Sequence, residues 1–249
     1  MSIKCLFGHK WNACKCSHCG KTRDEQHIWK GCNCSCCGKN IEVEEVEKLT
    51  DQMALTDVAR NNECGYGARM VAVKNLTDQT VLVEIAKDSH YGAGMRREAV
   101  KKIIDQVVLA DIIIKQSEGA GDALLMAAVS KLTDQALLVD VVKFVEKSNL
   151  KGIKFEILKE AIAKLTDQVS LAEVAKMWGT VFRKRQQFSQ YGGIRVPLIE
   201  DSEWYVSKEA FRKLTDQSML ADVAKNAECF SIREAATKKL AELSVLPNL

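Results

Sequence analysis

Cysteine and histidine return at fixed spacing in the first forty residues. In "HKWNACKCSHCGKTRDEQHIWKGCNCSCCGK", residues 9–39, His9, Trp11, Cys14, Cys16, Cys19 and Gly20 recur eighteen residues later as His27, Trp29, Cys32, Cys34, Cys37 and Gly38. Two thiolates three residues apart can close on one ion, and a glycine after the second permits the tight turn this requires. A third cysteine just upstream and a histidine five residues before it complete a tetrahedral donor set. The first set is His9, Cys14, Cys16 and Cys19; the second is His27, Cys32, Cys34 and Cys37. Four protein donors leave no open coordination position, so the expected cofactor is structural zinc, about two ions per chain. Pooling Cys16, Cys19, Cys34 and Cys37 into one four-cysteine site is the other grouping, and it leaves Cys14, Cys32 and both histidines for a second site. The tandem grouping strands only Cys5, His18 and Cys36. Cysteine-rich heads also ligate iron–sulfur clusters, which makes an iron–sulfur or redox protein the rival reading.

Composition sets the setting for that chemistry. Eight of the ten cysteines lie in the first 37 residues as close pairs, which suits metal ligation in a reducing compartment better than a disulfide framework. Residues 1–40 carry seven Lys/Arg against two Asp/Glu, and residues 41–249 carry 29 against 31. Two sites of three thiolates and one imidazole would lower the charge of the first segment from +5 to about +3. The near-neutral remainder is weak ground for a nucleic-acid groove. No stretch approaches the roughly 20 apolar residues of a membrane helix, and the opening residues lack a signal-peptide pattern. A soluble cytoplasmic protein is expected.

From residue 49 a second repeat takes over: "KLTDQMALTDVARN", "NLTDQTVLVEIAKD", "KIIDQVVLADIIIK", "KLTDQALLVDVVKF", "KLTDQVSLAEVAKM" and "KLTDQSMLADVAKN". The aspartates Asp51, Asp78, Asp105, Asp134, Asp167 and Asp216 are 27, 27, 29, 33 and 49 residues apart, a period that points to a helical solenoid. The residue before the aspartate is threonine in five copies and Ile104 in the third, whereas the aspartate is constant. The aspartate is therefore the expected N-cap. A leucine follows four residues on (Leu55, Leu82, Leu109, Leu138, Leu171, Leu220), with apolar pairs at +7 and +8, one face of an amphipathic helix. Before the next aspartate an alanine recurs (Ala72, Ala99, Ala128, Ala161, Ala210), small enough for a close crossing by a second helix.

The "LTDQxxLxDVAK…REAAxKKL" pattern resembles the short HEAT-like repeats, relatives of the armadillo and bilin-lyase repeat classes. The H-x-W-x-x-C-x-C-x-x-C-G unit resembles small zinc-knuckle and zinc-ribbon modules. The resemblance implies an all-α fold: a tandem zinc module over residues 1–40, then an α-solenoid of about six helix pairs over residues 41–249. "NIEVEEVEKL" would lead it as a half-unit and "SIREAATKKLAELSVLPNL" would close it. It also implies a curved stack whose usual task is to hold a protein partner.

The remaining features divide between plain structural roles and partner binding. Asp57, Glu84, Asp111, Asp140, Glu173 and Asp222 are followed three residues later by Arg60, Lys87, Lys143, Lys176 and Lys225, with Ile114 breaking the series; i,i+3 pairing within each helix is expected. Cys64 and Cys229 read as small apolar residues. An insertion at about 178–205 holds six of the fifteen aromatics. Its candidate partner-binding residues are Trp178, Phe182, Arg183, Lys184, Arg185, Tyr191 and Arg195, of the composition found at interface hot spots. Folding back to bury its own aromatics is the other reading. Taken together, these features predict a non-catalytic protein–protein scaffold with unidentified protein partners. Nucleic-acid binding through the zinc module and the basic insertion is the alternative.

Overall fold

The computed structural model describes residues 11–12, 15–16, 29–30, 33–34, 41–115, 121–148, 150, 152–177 and 201–244. They fall into two compact units that part between Ile104 and Asp105.

The first unit holds two ribbons and five helices: β1 (Trp11–Asn12), β2 (Lys15–Cys16), β3 (Trp29–Lys30), β4 (Asn33–Cys34), α1 (Val43–Glu47), α2 (Gln52–Arg60), α3 (Tyr66–Asn75), α4 (Gln79–Lys87) and α5 (Ala93–Val100). Helices α2 and α3 pack as one pair and α4 and α5 as the next; α3 packs on α5, and α1 lies on α3 as the half-unit expected from "EVEEVEK". Strand β3 lies against α2. The second unit is a stack of four pairs: α6 (Gln106–Lys115) with α7 (Asp122–Lys131), α8 (Gln135–Lys147) with α9 (Lys154–Lys164), α10 (Gln168–Lys176) with α11 (Asp201–Lys213), and α12 (Gln217–Asn226) with α13 (Phe230–Ser244). First helices pack on first helices in succession, and second on second. The described part of the body, residues 41–244, is helical throughout, with no strand. Helix α11 begins at Asp201, so the last five residues assigned to the insertion form its first turns.

All six aspartates cap as expected. Asp51 accepts from the Met53 amide at 3.0 Å, Asp78 from Thr80 at 2.8 Å, Asp105 from Val107 at 2.8 Å, Asp134 from Leu137 at 3.0 Å, Asp167 from Ser170 at 2.8 Å and Asp216 from Met219 at 2.9 Å. Donation by the backbone amides and seryl hydroxyls holds the Asp167 and Asp216 carboxyls below the usual carboxylate range. Their capping stability is present at neutral pH and is lost as pH falls through those lowered values. Behind each cap the leucine is buried, as are all five alanines of the crossing column. Cys64 is buried and Cys229 half-buried, in keeping with apolar packing.

Candidate functional site: the cysteine-rich head and the joints between repeats

The described residues of the two cysteine-rich copies form matching ribbons. Strand β1 pairs antiparallel with β2 in the register Trp11↔Cys16 and Asn12↔Lys15; β3 pairs with β4 in the register Trp29↔Cys34 and Lys30↔Asn33. Each pairing leaves only two residues between its strands, 13–14 in one ribbon and 31–32 in the other. The proposed donor sets straddle these reversals, with histidine before and two cysteines after. Cys16 and Cys34 are described through their backbone. His9, Cys14, Cys19, His27, Cys32 and Cys37 lie outside the described residues, as do Trp178, Phe182, Arg183, Lys184, Arg185, Tyr191 and Arg195. Among the described residues, no group of three or more His, Cys, Asp or Glu side chains could hold a metal.

Within each unit the repeated motif is occupied by hydrogen bonding between neighbouring repeats. The glutamine after each cap reaches into the loop that opens the next repeat. Its Oε1 accepts a backbone amide: Gln52 from Thr77 at 2.7 Å, Gln79 from Ile104 at 3.1 Å, Gln106 from Thr133 at 2.7 Å, Gln135 from Thr166 at 2.8 Å and Gln168 from Thr215 at 2.7 Å. Its Nε2 donates to a carbonyl three residues before the next cap, for example Gln79 to Lys102 at 3.2 Å and Gln135 to Lys164 at 3.3 Å. The glutamine thus satisfies both a donor and an acceptor of an irregular backbone segment.

A lysine column closes the same edge. Helix ends leave carbonyls without intrahelical partners, and a cation there also meets the negative end of the dipole. Lys102 donates to the carbonyls of Lys74 and Leu76 at the end of α3, and Lys164 to those of Val129, Ser130 and Leu132 at the end of α7. Lys213 does the same for Ile162 and Ala163, and Lys239 for Arg212 and Leu214. Burial pushes the Lys102, Lys213 and Lys239 amines below the usual lysine range.

These joints explain the one irregular threonine position. Thr133, Thr166 and Thr215 hydroxyls also donate to the glutamine Oε1, at 3.2, 3.5 and 3.3 Å, but the amide carries the shorter bond in every case. Ile104 keeps the amide and loses only the hydroxyl. Replacing Thr166 with isoleucine is therefore expected to change stability by less than about 0.5 kcal/mol. Replacing Gln135 with alanine strips an acceptor from two amides, Thr166 and Asp167, and should cost about 1 kcal/mol, water meeting part of the loss at this exposed edge. Urea denaturation of the two variants checks the contrast.

The charged columns depart from expectation. Pairing runs mainly between helices: Arg60 of α2 binds Glu84 of α4, Lys143 of α8 binds Glu173 of α10 at 2.5 Å, and Lys176 of α10 binds Asp222 of α12 at 2.5 Å. Stacked first helices bring the cation nine residues after one cap beside the acid six residues after the next. Lys176 holds the Asp222 carboxyl below its ordinary range, and Glu84 raises the Arg60 guanidinium. In the third copy, where Ile114 interrupts the series, Lys115 pairs with Asp111 at i,i+4 inside α6 instead. These pairs are part-exposed, and each contributes at most about 1 kcal/mol.

Sequence reasoning missed the glutamine and lysine columns as the joint-forming positions. Their signal was the constancy of Gln after Asp and of Lys or Asn three residues before it. No described helix is long and apolar enough to cross a membrane. Comparison with protein-family models, with curated proteins and with solved structures gives no significant match.

Proposed function

We propose that this chain is a non-catalytic protein–protein interaction scaffold: a HEAT-like helical repeat headed by a tandem structural zinc module. One observation carries the reading. The near-constant residues of the motif, Lys, Asp and Gln, are engaged in caps and joints, while the second residue after each cap is exposed and takes five residue types in six copies. In the first unit these are Met53 and Thr80; in the second they are Val107, Ala136, Val169 and Ser218. Met53 is 79% exposed, Val107 59% and Val169 61%, unusual values for large apolar side chains. Fixed joints with variable exposed positions are how a repeat array distinguishes partners without chemistry.

His9, Cys14, Cys16 and Cys19 would hold one zinc ion and His27, Cys32, Cys34 and Cys37 the other, each ion replacing the core that about 40 residues cannot build. The aromatic and arginine-rich insertion, with Trp178, Phe182, Arg183, Lys184, Arg185, Tyr191 and Arg195, would add contacts to the partner.

The test is affinity capture from native lysate with the whole chain, with and without nuclease, beside the variant Met53→Asp/Val107→Asp/Val169→Asp. Protein capture that survives nuclease and falls at least about tenfold in the variant supports the reading. Capture abolished by nuclease supports nucleic-acid binding in its place.

A further inference from the structure

The face of the α12–α13 pair turned away from α10 and α11 is built as a stacking surface. Five residues after the cap, Ala110, Val139 and Ala172 are covered to within 3%, 2% and 1%, and eight after it Ile113, Val142 and Ala175 are fully buried. In α12 the same two positions are Ala221, exposed, and Ala224, half-exposed. Beside them runs a shallow groove of about 460 Å³ lined by Ala224, Phe230, Arg233, Glu234, Thr237 and Lys238, among others. Phe230 is 69% exposed at its rim. The Arg233 guanidinium lies 5.8 Å from the Phe230 ring centre and donates to the Ala227 and Glu228 carbonyls, which steadies the aromatic in the open position.

We propose that this groove binds the same groove of a second copy about a two-fold axis. Charge selects that occupant. Glu234 and Lys238 are exposed, one turn apart on α13, and form no ion pair among the described residues. Antiparallel approach of two α13 helices sets Glu234 of each copy opposite Lys238 of the other, so the surface complements itself. Ala221 and Ala224 permit close approach of the helices, and each Phe230 fills the facing groove. The joints used inside the array do not extend here, because α13 continues to Ser244, past the point where the preceding second helices end in a carbonyl-lined loop. The inference stands independently of the scaffold reading.

The experiment is sedimentation of the whole chain across a concentration series, with Glu234→Lys and Lys238→Glu variants run singly and mixed. The expected result is a rise from one to two chain masses. Each single variant should raise the dissociation constant at least about tenfold, and the equimolar mixture should recover it. In the mixed pair one copy carries lysine at both positions and the other carries glutamate at both, so each contact again joins opposite charges. Phe230→Glu, a change at an exposed position that leaves the fold intact by circular dichroism, should also weaken association. One chain mass throughout, growth beyond two, or association unaltered by these variants would overturn the proposal.

Discussion

Alanine in place of Leu138 is expected to destabilise the second unit by about 2–5 kcal/mol, the cost of removing a fully buried leucine from a packed interior. Leu138 is 0% exposed, as are Val141, Val142 and Val145 farther along α8. Helix α8 packs against α6, α9 and α10, so a cavity there touches three neighbours. Because each repeat contacts only those beside it, the loss weakens the interfaces on both sides. The control is Val107→Ala, a truncation at a residue 59% exposed, expected within about 0.5 kcal/mol of the parent. Urea denaturation followed by the helical signal reads both. Equal effects from the two variants would mean that the leucine column does not form the core.

The same leucines mark what the sequence could reveal. Hydrophobic periodicity reports burial, and aspartate before an apolar run reports a helix start, because both follow from geometry within one helix. Asp51 to Asp216 and Leu55 to Leu220 were legible for that reason. Gln135 was not: its partners, Thr166 and Lys164, lie about thirty residues away and are joined to it only by stacking. Arg60 was misjudged on similar grounds, since Asp57 is near in sequence but Glu84 is the residue that stacking presents. Local rules therefore yielded the helices and the core, while the contacts that set one repeat on the next needed coordinates. For the cysteine-rich head the order is reversed: the zinc proposal rests on cysteine and histidine spacing, and the structure contributes only the matching register of the two ribbons.

Strong chelation of the full chain at neutral pH is expected to release about two zinc ions and unfold the head, since structural zinc contributes on the order of 10 kcal/mol per site. The helical signal should survive, because the helices belong to residues 43–244 and are held by buried side chains and joints that involve no metal. Acidification should release the ions as well: thiolates and imidazoles bind only when deprotonated, so affinity falls with pH. Cys16→Ser and Cys34→Ser then separate the two groupings of ligands. With tandem sites each variant loses one ion and the double variant loses both. With a pooled Cys16, Cys19, Cys34 and Cys37 site, each single variant and the double variant lose the same one ion. Metal quantification reads the result directly; a brown protein carrying iron would refute the zinc assignment, and helices that collapse on chelation would refute the independence of the helical body from the metal.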